Sequence, residues 1–478
     1  MDIQTYTHKF EQFRQRLYQN FTHRADTLME LVDAICSYTN ANSIVEYSLA
    51  DCFRRTHSNI FKGIDEFDLG DQTIASLAAP CLPEPQTKTF HLLATDVTPQ
   101  PRQFARTLAD RGMVYQPNAV AGNKPVTIGH QYSSVVLLPE PEEGVTSSWV
   151  VPLATQRVAT DADKEGVGCE QIHALLRDPN LPFSEQFCVD VADSSYSKVP
   201  CIYGKREHIN LVSIARLNGT RVLYQPYVAE EDSAQSSTEE APKSSGRKTV
   251  FGKAFALKNP QTWHEPDVSL TLVKESAQGK TYRYEIKAWH NMLMRGKNKP
   301  YRMPMEKYPF TLVYIQGYDE QGKPLGKGPM WLIAIGERRH ELSVEDIFHA
   351  YTRRSDIEHF FRFSKQKLLL DGSQTPDVAR EESWWQLVHI AYLQLWVARH
   401  LVECLPRPWE RYLPQMKKKL ASPTLVQRDF GRIIRQLGTP AQPPKPRNNG
   451  AGRSSGTTLS PRPRQKVVVK GKQTAKQA

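Results

Sequence analysis

The sequence lacks any apolar run of the roughly 18 to 20 residues that a membrane-spanning helix requires. Its N-terminus, MDIQTYTHKFEQFRQR, mixes charged and aromatic residues, whereas a secretory signal has a basic start followed by an apolar stretch. The hydrophobic fraction of 39% in 478 residues is enough for real cores. We therefore expect a cytoplasmic protein of two to four domains with no membrane partner.

Two kinds of functional motif are also missing. The seven cysteines are widely spaced and never form C-x-x-C, and no histidine pair has the H-E-x-x-H spacing, which argues against a zinc site. There is no glycine-rich P-loop, so chemistry driven by ATP has no support.

Acidic residues are absent from the C-terminal part of the chain. The last one is Asp429, and eleven lysines and arginines follow it. The whole sequence has 62 basic and 51 acidic residues, so residues 1–429 are formally neutral and residues 430–478 carry the entire net charge of +11. The tail from 441 is rich in Pro, Gly and Ser, which predicts a disordered arm that adds salt-sensitive affinity for nucleic acid.

The hydrophobic pattern changes twice along the chain. Residues 1–85 have apolar side chains at three- or four-residue steps, which indicates helices. From about Thr87, short β-branched and aromatic runs alternate with helical segments, which predicts an α/β fold with a mixed sheet. Residues 229–246 are polar and predict a flexible loop, and helices return at Ser343.

A cluster of charged residues occupies AYTRRSDIEHFFRFSKQKLLL. On one continuous helix, Tyr351, Arg354, Glu358 and Lys365 would lie in a stripe about 60° wide, with Arg362 beside it. The opposite face holds apolar side chains that would pack into a core. By geometry alone, a solvated amphipathic helix with an Arg354–Glu358 pair is the favoured interpretation.

The spacing Tyr351-x2-Arg354-x3-Glu358-x6-Lys365 resembles the Y-(2)-R-(3)-E-(6)-K signature of bacterial insertion-sequence transposases of the IS-four-like DDE group. The resemblance implies that Glu358 is the third catalytic carboxylate and a metal ligand. It also implies that Tyr351, Arg354 and Lys365 contact the DNA backbone. Ser355 departs from the family, in which many members have Trp at this position.

The same resemblance requires two further acids at strands upstream. Asp96 follows the apolar run FHLLAT, which predicts a position at the end of the first core strand. For the second acid, Asp193 opens DSSY, which resembles the family motif D-x-G-Y, and Asp190 is the alternative. A turn-forming role for Asp96 and a capping role for Asp193 remain open.

The resemblance implies an RNase-H-like mixed-sheet catalytic core interrupted by a β-rich insertion, since 165 residues separate Asp193 from Glu358. The first predicted segment is a helical, DNA-end-binding domain at residues 1–85, and the core begins with a first part at 86–219. The β-rich insertion spans 220–337 and includes the flexible loop 229–246, and the second core part, 338–405, contains the catalytic helix. A helical segment at 406–440 and a basic disordered tail at 441–478 follow.

Within the predicted insertion, Trp331 is similar in position to a family tryptophan that stacks on an extruded DNA base. A half-buried strand residue is the alternative. The DNA-binding set implied by the resemblance is therefore Tyr351, Arg354, Arg362, Lys365 and Trp331.

The resemblance implies a DDE transposase that uses two Mg²⁺ ions, for which Mn²⁺ can substitute, held by Asp96, Asp193 and Glu358. The implied partners are double-stranded DNA, as transposon ends and target, and a second copy of the chain in a synaptic complex. Cleavage, a hairpin intermediate and strand transfer would follow at one site. The alternatives are an RNase-H-like nuclease that never joins ends and a catalytically silent DNA-binding protein derived from a transposase.

Overall fold

The computed structural model describes residues 3–116, 125–141, 149–228, 250–276, 279–326, 328–404, 407, 409, 421–446, 456, 458 and 460–470. These residues form α-helices and β-strands in a mixed α/β fold, as predicted. The α-helices are α1 Ile3–Asn20, α2 Ala25–Ser37, α3 His57–Asp65, α4 Ile74–Ala78, α5 Lys164–Arg177, α6 Val199–Lys205, α7 Val344–Thr352, α8 Ser355–Lys367, α9 Val378–Cys404 and α10 Pro423–Leu437.

The strands follow the β-branched and aromatic runs of the sequence. They are β1 His91–Pro101, β2 Gly112–Tyr115, β3 Val126–Leu137, β4 Val151–Val158, β5 Cys188–Ala192, β6 Leu211–Leu217, β7 Val222–Pro226, β8 Phe251–Ala256, β9 Val268–Glu275, β10 Thr281–Met292, β11 Phe310–Tyr318 and β12 Met330–Ile335.

The chain divides into two compact units. Unit 1 comprises Met1–Gln186 and Arg353–Ala478, and unit 2 comprises Phe187–Thr352. Unit 1 is therefore discontinuous in sequence, and the whole of unit 2 is inserted into it. No helix among the described residues is both long enough and apolar enough to cross a membrane.

The sheet of unit 1 is built around β3. Strand β1 pairs antiparallel along one edge of β3, and β2 and then β4 pair along the other. Successive side chains of β3 point to opposite faces: Ser133 donates to Gln171 of α5 at 2.6 Å, and Ser134 lies 3.1 Å from His389 of α9. Helices α5 and α9 therefore cover opposite faces of this sheet.

A helical bundle surrounds α9. Helices α1, α2, α3 and α10 all contact it. Phe10 of α1 meets Phe430 of α10 edge to face, with ring centroids 5.9 Å apart, and the Cys36 thiol of α2 donates to the Ala391 carbonyl at 3.2 Å. Helices α1, α2 and α3 of the predicted segment 1–85 and helix α10 of the predicted segment 406–440 thus pack on α9 of the second core part, because the apolar stripes of these helices need the same central helix.

Unit 2 contains a second group of paired strands. Strands β5 and β6 are parallel, and β12, β11, β10 and β9 follow in antiparallel order from β6, while β7 and β8 form a separate pair. Because β12 pairs directly with β6, the predicted insertion 220–337 extends a sheet that begins in the predicted core. The predicted loop 229–246 lies outside the described residues.

The described pieces of the C-terminal tail correct part of the prediction of a disordered arm. Ala441 is 5% exposed, and the Gln442 amide donates to Asp26 at 2.8 Å. Farther along, the amides of Gln465 and Val468 each donate at 2.8 Å to carbonyls of unit 1, those of Arg106 and Arg111. Composition does not predict these contacts, because backbone hydrogen bonds need no apolar side chain.

Gly129 of β3 is a position at which any side chain would disturb β1. An added Cβ would lie 2.1 Å from the Gln100 carbonyl oxygen, a backbone atom that cannot rotate away. We predict that Gly129→Ala lowers the free energy of unfolding by about 1–3 kcal/mol, measured by urea denaturation. Gly219→Ala is the matched control, since a Cβ there meets nothing within 4 Å. Equal stability of the two variants would contradict the prediction.

Candidate functional site

Asp96 lies in the interior of β1, not at its end as predicted, because the strand continues to Pro101. It is directly opposite Ser134 of β3. Since side chains alternate along a strand, Asp96, Thr98 and Gln100 share the face that Ser134 presents to α9. The Asp96 side chain remains 20% exposed, and its Oδ1 atom accepts the Val97 amide at 2.8 Å.

Helix α8 lies against this face of β1. Its buried positions include Ile357, Phe360 and Phe361, which confirms the predicted apolar face. The prediction of one continuous helix from Tyr351 to Lys365 is wrong, since α7 ends at Thr352 and α8 begins at Ser355. Tyr351 therefore belongs to α7 in unit 2, where it is 8% exposed.

Arg354 precedes α8 and binds two of the predicted catalytic acids. One guanidinium nitrogen lies 3.4 Å from Asp96 Oδ2, and the other lies 2.6 Å from Glu358 Oε1. Glu358 is the more open of the two acids, with 49% of its side chain exposed. Two carboxylates separated by 262 positions in sequence therefore converge on one cation.

Lys365 anchors the next turns of α8 to the same strand. Its Nζ donates to the Thr98 hydroxyl at 2.9 Å and to the Pro99 carbonyl at 2.8 Å. Burial lowers the pKa of this ammonium group, an effect that nearby Asp371 opposes. Arg362 is exposed on α8. Of the three predicted DNA-binding cations, Arg354 contacts the two acids, Arg362 is exposed, and Lys365 fastens α8 to β1.

A buried polar network supports this face from behind. Glu381, in the first turn of α9, accepts from Tyr132 at 3.0 Å and lies 2.7 Å from His130 Nδ1 and 3.0 Å from Arg102 Nε. All the charged side chains here are fully buried. The Arg102 guanidinium also donates to the Ser373 carbonyl. This hydrogen bond joins the end of β1 to the segment that follows α8.

Sequence reasoning missed Arg102 and Glu381. The available signal was Glu381 itself, a carboxylate in the first turn of the Trp-rich, largely apolar helix α9. A buried acid of this kind needs a buried partner. The partner could not be identified, since 279 positions separate the two residues.

The two candidates for the second acid differ in their surroundings within unit 2. Asp190, in β5, is 1% exposed, and its two oxygens are bound by the Lys205 ammonium and the Ser213 hydroxyl. Asp193 follows β5 and is partly exposed; its Oδ1 accepts the Ser195 amide at 2.8 Å and hydroxyl at 2.6 Å. Asp190 thus forms a closed internal ion pair, whereas Asp193 caps a short 3₁₀ helix at the surface.

Trp331 does not occupy the position that base stacking requires. It is 3% exposed in β12, and its ring packs edge to face against Trp263 at 5.1 Å and Tyr314 at 5.0 Å. Trp289 and Phe255 belong to the same aromatic cluster. The alternative interpretation, that Trp331 is a strand residue, therefore fits, because β12 buries the apolar face on which Trp331 lies.

The acids of unit 1 suit a divalent cation of the hard, oxygen-preferring kind. Asp96 and Glu358 offer carboxylate oxygens, the ligands that Mg²⁺ prefers. They already converge on a cationic group, and both retain exposed surface. The donor set of these two residues thus fits the metal that the resemblance implies.

Comparison with known proteins gives one family match. A family model described as DDE superfamily endonuclease matches residues 16–296, more than half of the chain. The matched range contains Asp96, Asp190 and Asp193 and most of the N-terminal helices, and it ends before Glu358. No curated protein matches the chain.

His389 makes the stability of unit 1 depend on pH. Its Nδ1 donates to the Trp385 carbonyl at 2.8 Å, which leaves Nε2 unprotonated beside Ser134. Burial lowers the pKa of this imidazole to about 4. Between about pH 6.5 and pH 4 the unfolded chain binds a proton that the folded chain does not, so stability falls as the pH falls through this window.

We predict that this histidine alone costs about 2 kcal/mol of stability between pH 7.5 and pH 5. Urea denaturation at both pH values gives the free energy of unfolding of the wild type and of His389→Gln. The wild type should lose about 2 kcal/mol more than the variant between pH 7.5 and pH 5. The same pH dependence in the two proteins would show that His389 is protonated in the fold.

Proposed function

We propose, since the chain belongs to the DDE superfamily of endonucleases, that it is a transposase that cleaves DNA at transposon ends and joins the freed ends to target DNA. The observation that carries the proposal is the convergence of Asp96 and Glu358 on Arg354. Two partly exposed acids around one cation are suited to exchanging that cation for a metal ion.

We propose that Asp96, Asp193 and Glu358 are the ligands of two Mg²⁺ ions. Bound Mg²⁺ would supply Lewis-acid chemistry and an activated water or 3′-hydroxyl for phosphodiester cleavage. Asp193 is preferred to Asp190 because both oxygens of Asp190 are held by Lys205 and Ser213. Asp193 has one oxygen held by Ser195.

Arg354 has two successive roles in this proposal. Without metal, its guanidinium neutralises Asp96 and Glu358 and prevents repulsion between them. If a metal ion took the place of the guanidinium at the acids, Arg354 would contact a DNA phosphate, for which its planar fork is well suited. Arg362 adds a second phosphate contact from the exposed side of α8, and Lys365 keeps α8 in register with β1.

The proposed route is cut-and-paste transposition with a hairpin intermediate, carried out by a homodimer on paired ends. Its support is the Y-R-E-K spacing from Tyr351 to Lys365. The burial of Trp331 removes that residue from the proposed hairpin step. The alternative is a nuclease of the same superfamily that does not join ends.

The first test concerns the acids. Glu358→Gln and Asp96→Asn keep the shape of the side chain but remove its charge, and each should lower Mg²⁺-dependent cleavage of the element's own ends by about 100-fold or more. Binding of the same DNA, measured by gel shift without divalent metal, should stay within a few fold.

Glu66→Gln is the matched control, because Glu66 forms a comparable exposed pair with Arg24 at 2.8 Å and is 47% exposed. It should cleave like the wild type. Retained cleavage in Glu358→Gln would refute the assignment of the acid.

The second acid is tested by separating activity from stability. Asp193→Asn should abolish cleavage with little change in melting temperature. Asp190→Asn should mainly destabilise the protein, because it leaves Lys205 buried without its counterion. The reverse pattern, with a stable but inactive Asp190→Asn, would assign catalysis to Asp190.

Joining activity separates a transposase from a simple nuclease. With a pre-cleaved end and a supercoiled plasmid, we expect Mg²⁺-dependent covalent insertion, detected as a labelled, linearised or nicked plasmid carrying the end. Cleavage of uncut ends without any insertion would support the nuclease.

A further inference from the structure

A small pocket lies entirely within unit 2, and we call it the unit 2 pocket. Its lining comes from the end of α6, the start of β6, the turn before β11, and the end of β12 with the residues that follow. Its volume is about 140 Å³. Sites that enclose a whole small molecule usually begin at about 300 Å³, so this pocket can enclose one small chemical group.

The unit 2 pocket is separate from the proposed metal ligand Asp193. Strands β5 and β6 are parallel, with Cys188 opposite Leu211 and Ala192 opposite Ala215. Leu211 lines the pocket, whereas Asp193 follows Ala192 at the other end of these strands. At about 3.3 Å per residue, the two places lie about 15 Å apart along the strands.

The charged groups of the pocket lining, apart from one histidine, are four cations and one acid. The cations are Lys205, Arg206, Lys307 and Arg339, and the acid is Glu337. Lys205 and Arg339 are 6% and 9% exposed, whereas the other three are exposed. Two buried cations therefore form the base of the pocket, and two exposed cations stand at its rim.

The buried Lys205 ammonium has hydrogen-bonding capacity that its neighbours do not use. An ammonium group has three N–H donors. Among the residues that the structure describes, the acceptor for this group is the Asp190 carboxylate, whose other oxygen accepts from the Ser213 hydroxyl. Two N–H groups of a buried cation therefore remain for a further acceptor.

Arg339 has unused capacity as well. Its terminal nitrogens donate to the Gly336 carbonyl at 3.3 Å and to the Asn291 side chain at 2.9 Å. Its Nε atom is buried and has no acceptor in the described part of the chain. Burial lowers the pKa of this guanidinium, which Glu337 opposes only in part. Buried polar groups are normally hydrogen-bonded, so a bound acceptor would stabilise both cations at the base.

The rim cations are placed to complete such a site. The Arg206 guanidinium lies 3.8 Å from the ring centroid of Tyr203 and donates to the Tyr203 carbonyl at 2.7 Å. These contacts orient the guanidinium and leave other N–H groups of its fork available. The Lys307 side chain has no hydrogen-bonding or ion-pairing partner among the described residues.

A phosphate monoester fits these donors. It has three terminal oxygens and carries close to two negative charges above about pH 6, so it can accept from several donors at once. Guanidinium and ammonium groups both bind phosphate. We propose that the unit 2 pocket binds the phosphate of a monoester, either a free mononucleotide or the 5′-phosphate at a DNA end. The inference does not depend on Asp96, Glu358 or DNA cleavage.

The first test is calorimetric titration of the full chain with deoxyadenosine 5′-monophosphate, at low salt and without divalent metal. We expect saturable binding, and none of deoxyadenosine, which lacks the phosphate. Arg206→Gln/Lys307→Gln should raise the dissociation constant about tenfold or more, because it removes two charged donors.

The second test identifies the source of the phosphate. A short single-stranded oligonucleotide is compared in its 5′-phosphorylated and 5′-hydroxyl forms by fluorescence anisotropy. Tighter binding of the phosphorylated form, lost in Arg206→Gln/Lys307→Gln, would assign the pocket to DNA ends. Binding of the mononucleotide would assign it to free nucleotides. Equal affinity for the two oligonucleotides, together with no binding of the mononucleotide, would overturn the proposal.

Two control variants separate the pocket from charge in general. Arg206→Lys/Lys307→Arg keeps both charges and should bind within a few fold of the wild type. Lys280→Gln/Arg283→Gln removes the same residue types from exposed positions of unit 2 outside the lining, and it should bind like the wild type. An equal loss of binding in this second control would also overturn the proposal.

Thermal melting establishes that each variant is folded, and Lys307→Gln alone serves if the double variant is not. Because both binding tests omit divalent metal, loss or retention of cleavage in the tests of the acids does not affect their outcome. A failure of the unit 2 pocket would therefore leave the proposed function standing.

Discussion

The burial of the middle of α9 on every side is the constraint on which unit 1 depends. Its Trp384, Trp385 and Leu393 are fully buried. The N-terminal helices and α10 pack around one part of α9, and the sheet packs against another. Between Trp384 and Ala398 no residue of α9 is exposed, so each polar group in this part of the helix needs a partner inside the protein.

Those partners hold the candidate site. Glu381 binds Arg102 and His130 on the sheet, and the Trp384 indole donates to the Leu369 carbonyl just after α8 at 2.8 Å. Leu369 adopts a left-handed conformation, with φ of 55°, that a residue with a Cβ rarely takes. A single helix therefore fixes both the strand of Asp96 and the end of the helix of Glu358, which keeps the two acids within reach of Arg354.

Sequence reasoning recovered the parts of this arrangement that depend on local periodicity. The apolar face of α8 and the strand character of β1 follow from side-chain spacing, and both are present. The break between Tyr351 and Arg354 was not predictable, because the sequence there contains neither Gly nor Pro and its periodicity continues across the break. The resemblance gave Trp331 a base-stacking role with a strand residue as the alternative, and sequence position cannot distinguish an aromatic side chain on a buried strand face from one at the surface.

The net charge of +11 does not show where the basic residues lie in the fold. The acid-free tail was expected to supply the general affinity for DNA. However, the described residues 460–470 include Lys470, whose ammonium donates to the Ala162 carbonyl at 2.8 Å. In α10, by contrast, arginines cluster over one buried acid. The arginines of α10 thus belong to a folded helix whose orientation the bundle fixes.

The discontinuity of unit 1 has a consequence for synthesis on the ribosome. Cys36 and its hydrogen-bond partner Ala391 are 355 residues apart. At about 5–20 residues per second, roughly 20–70 s pass between their translation. During that interval the apolar stripes of α1 and α2 exist without the helix that covers them, and the described strands of unit 2 are all translated before that helix. The nascent N-terminal helices are therefore the segment for which a chaperone would have the longest opportunity to bind.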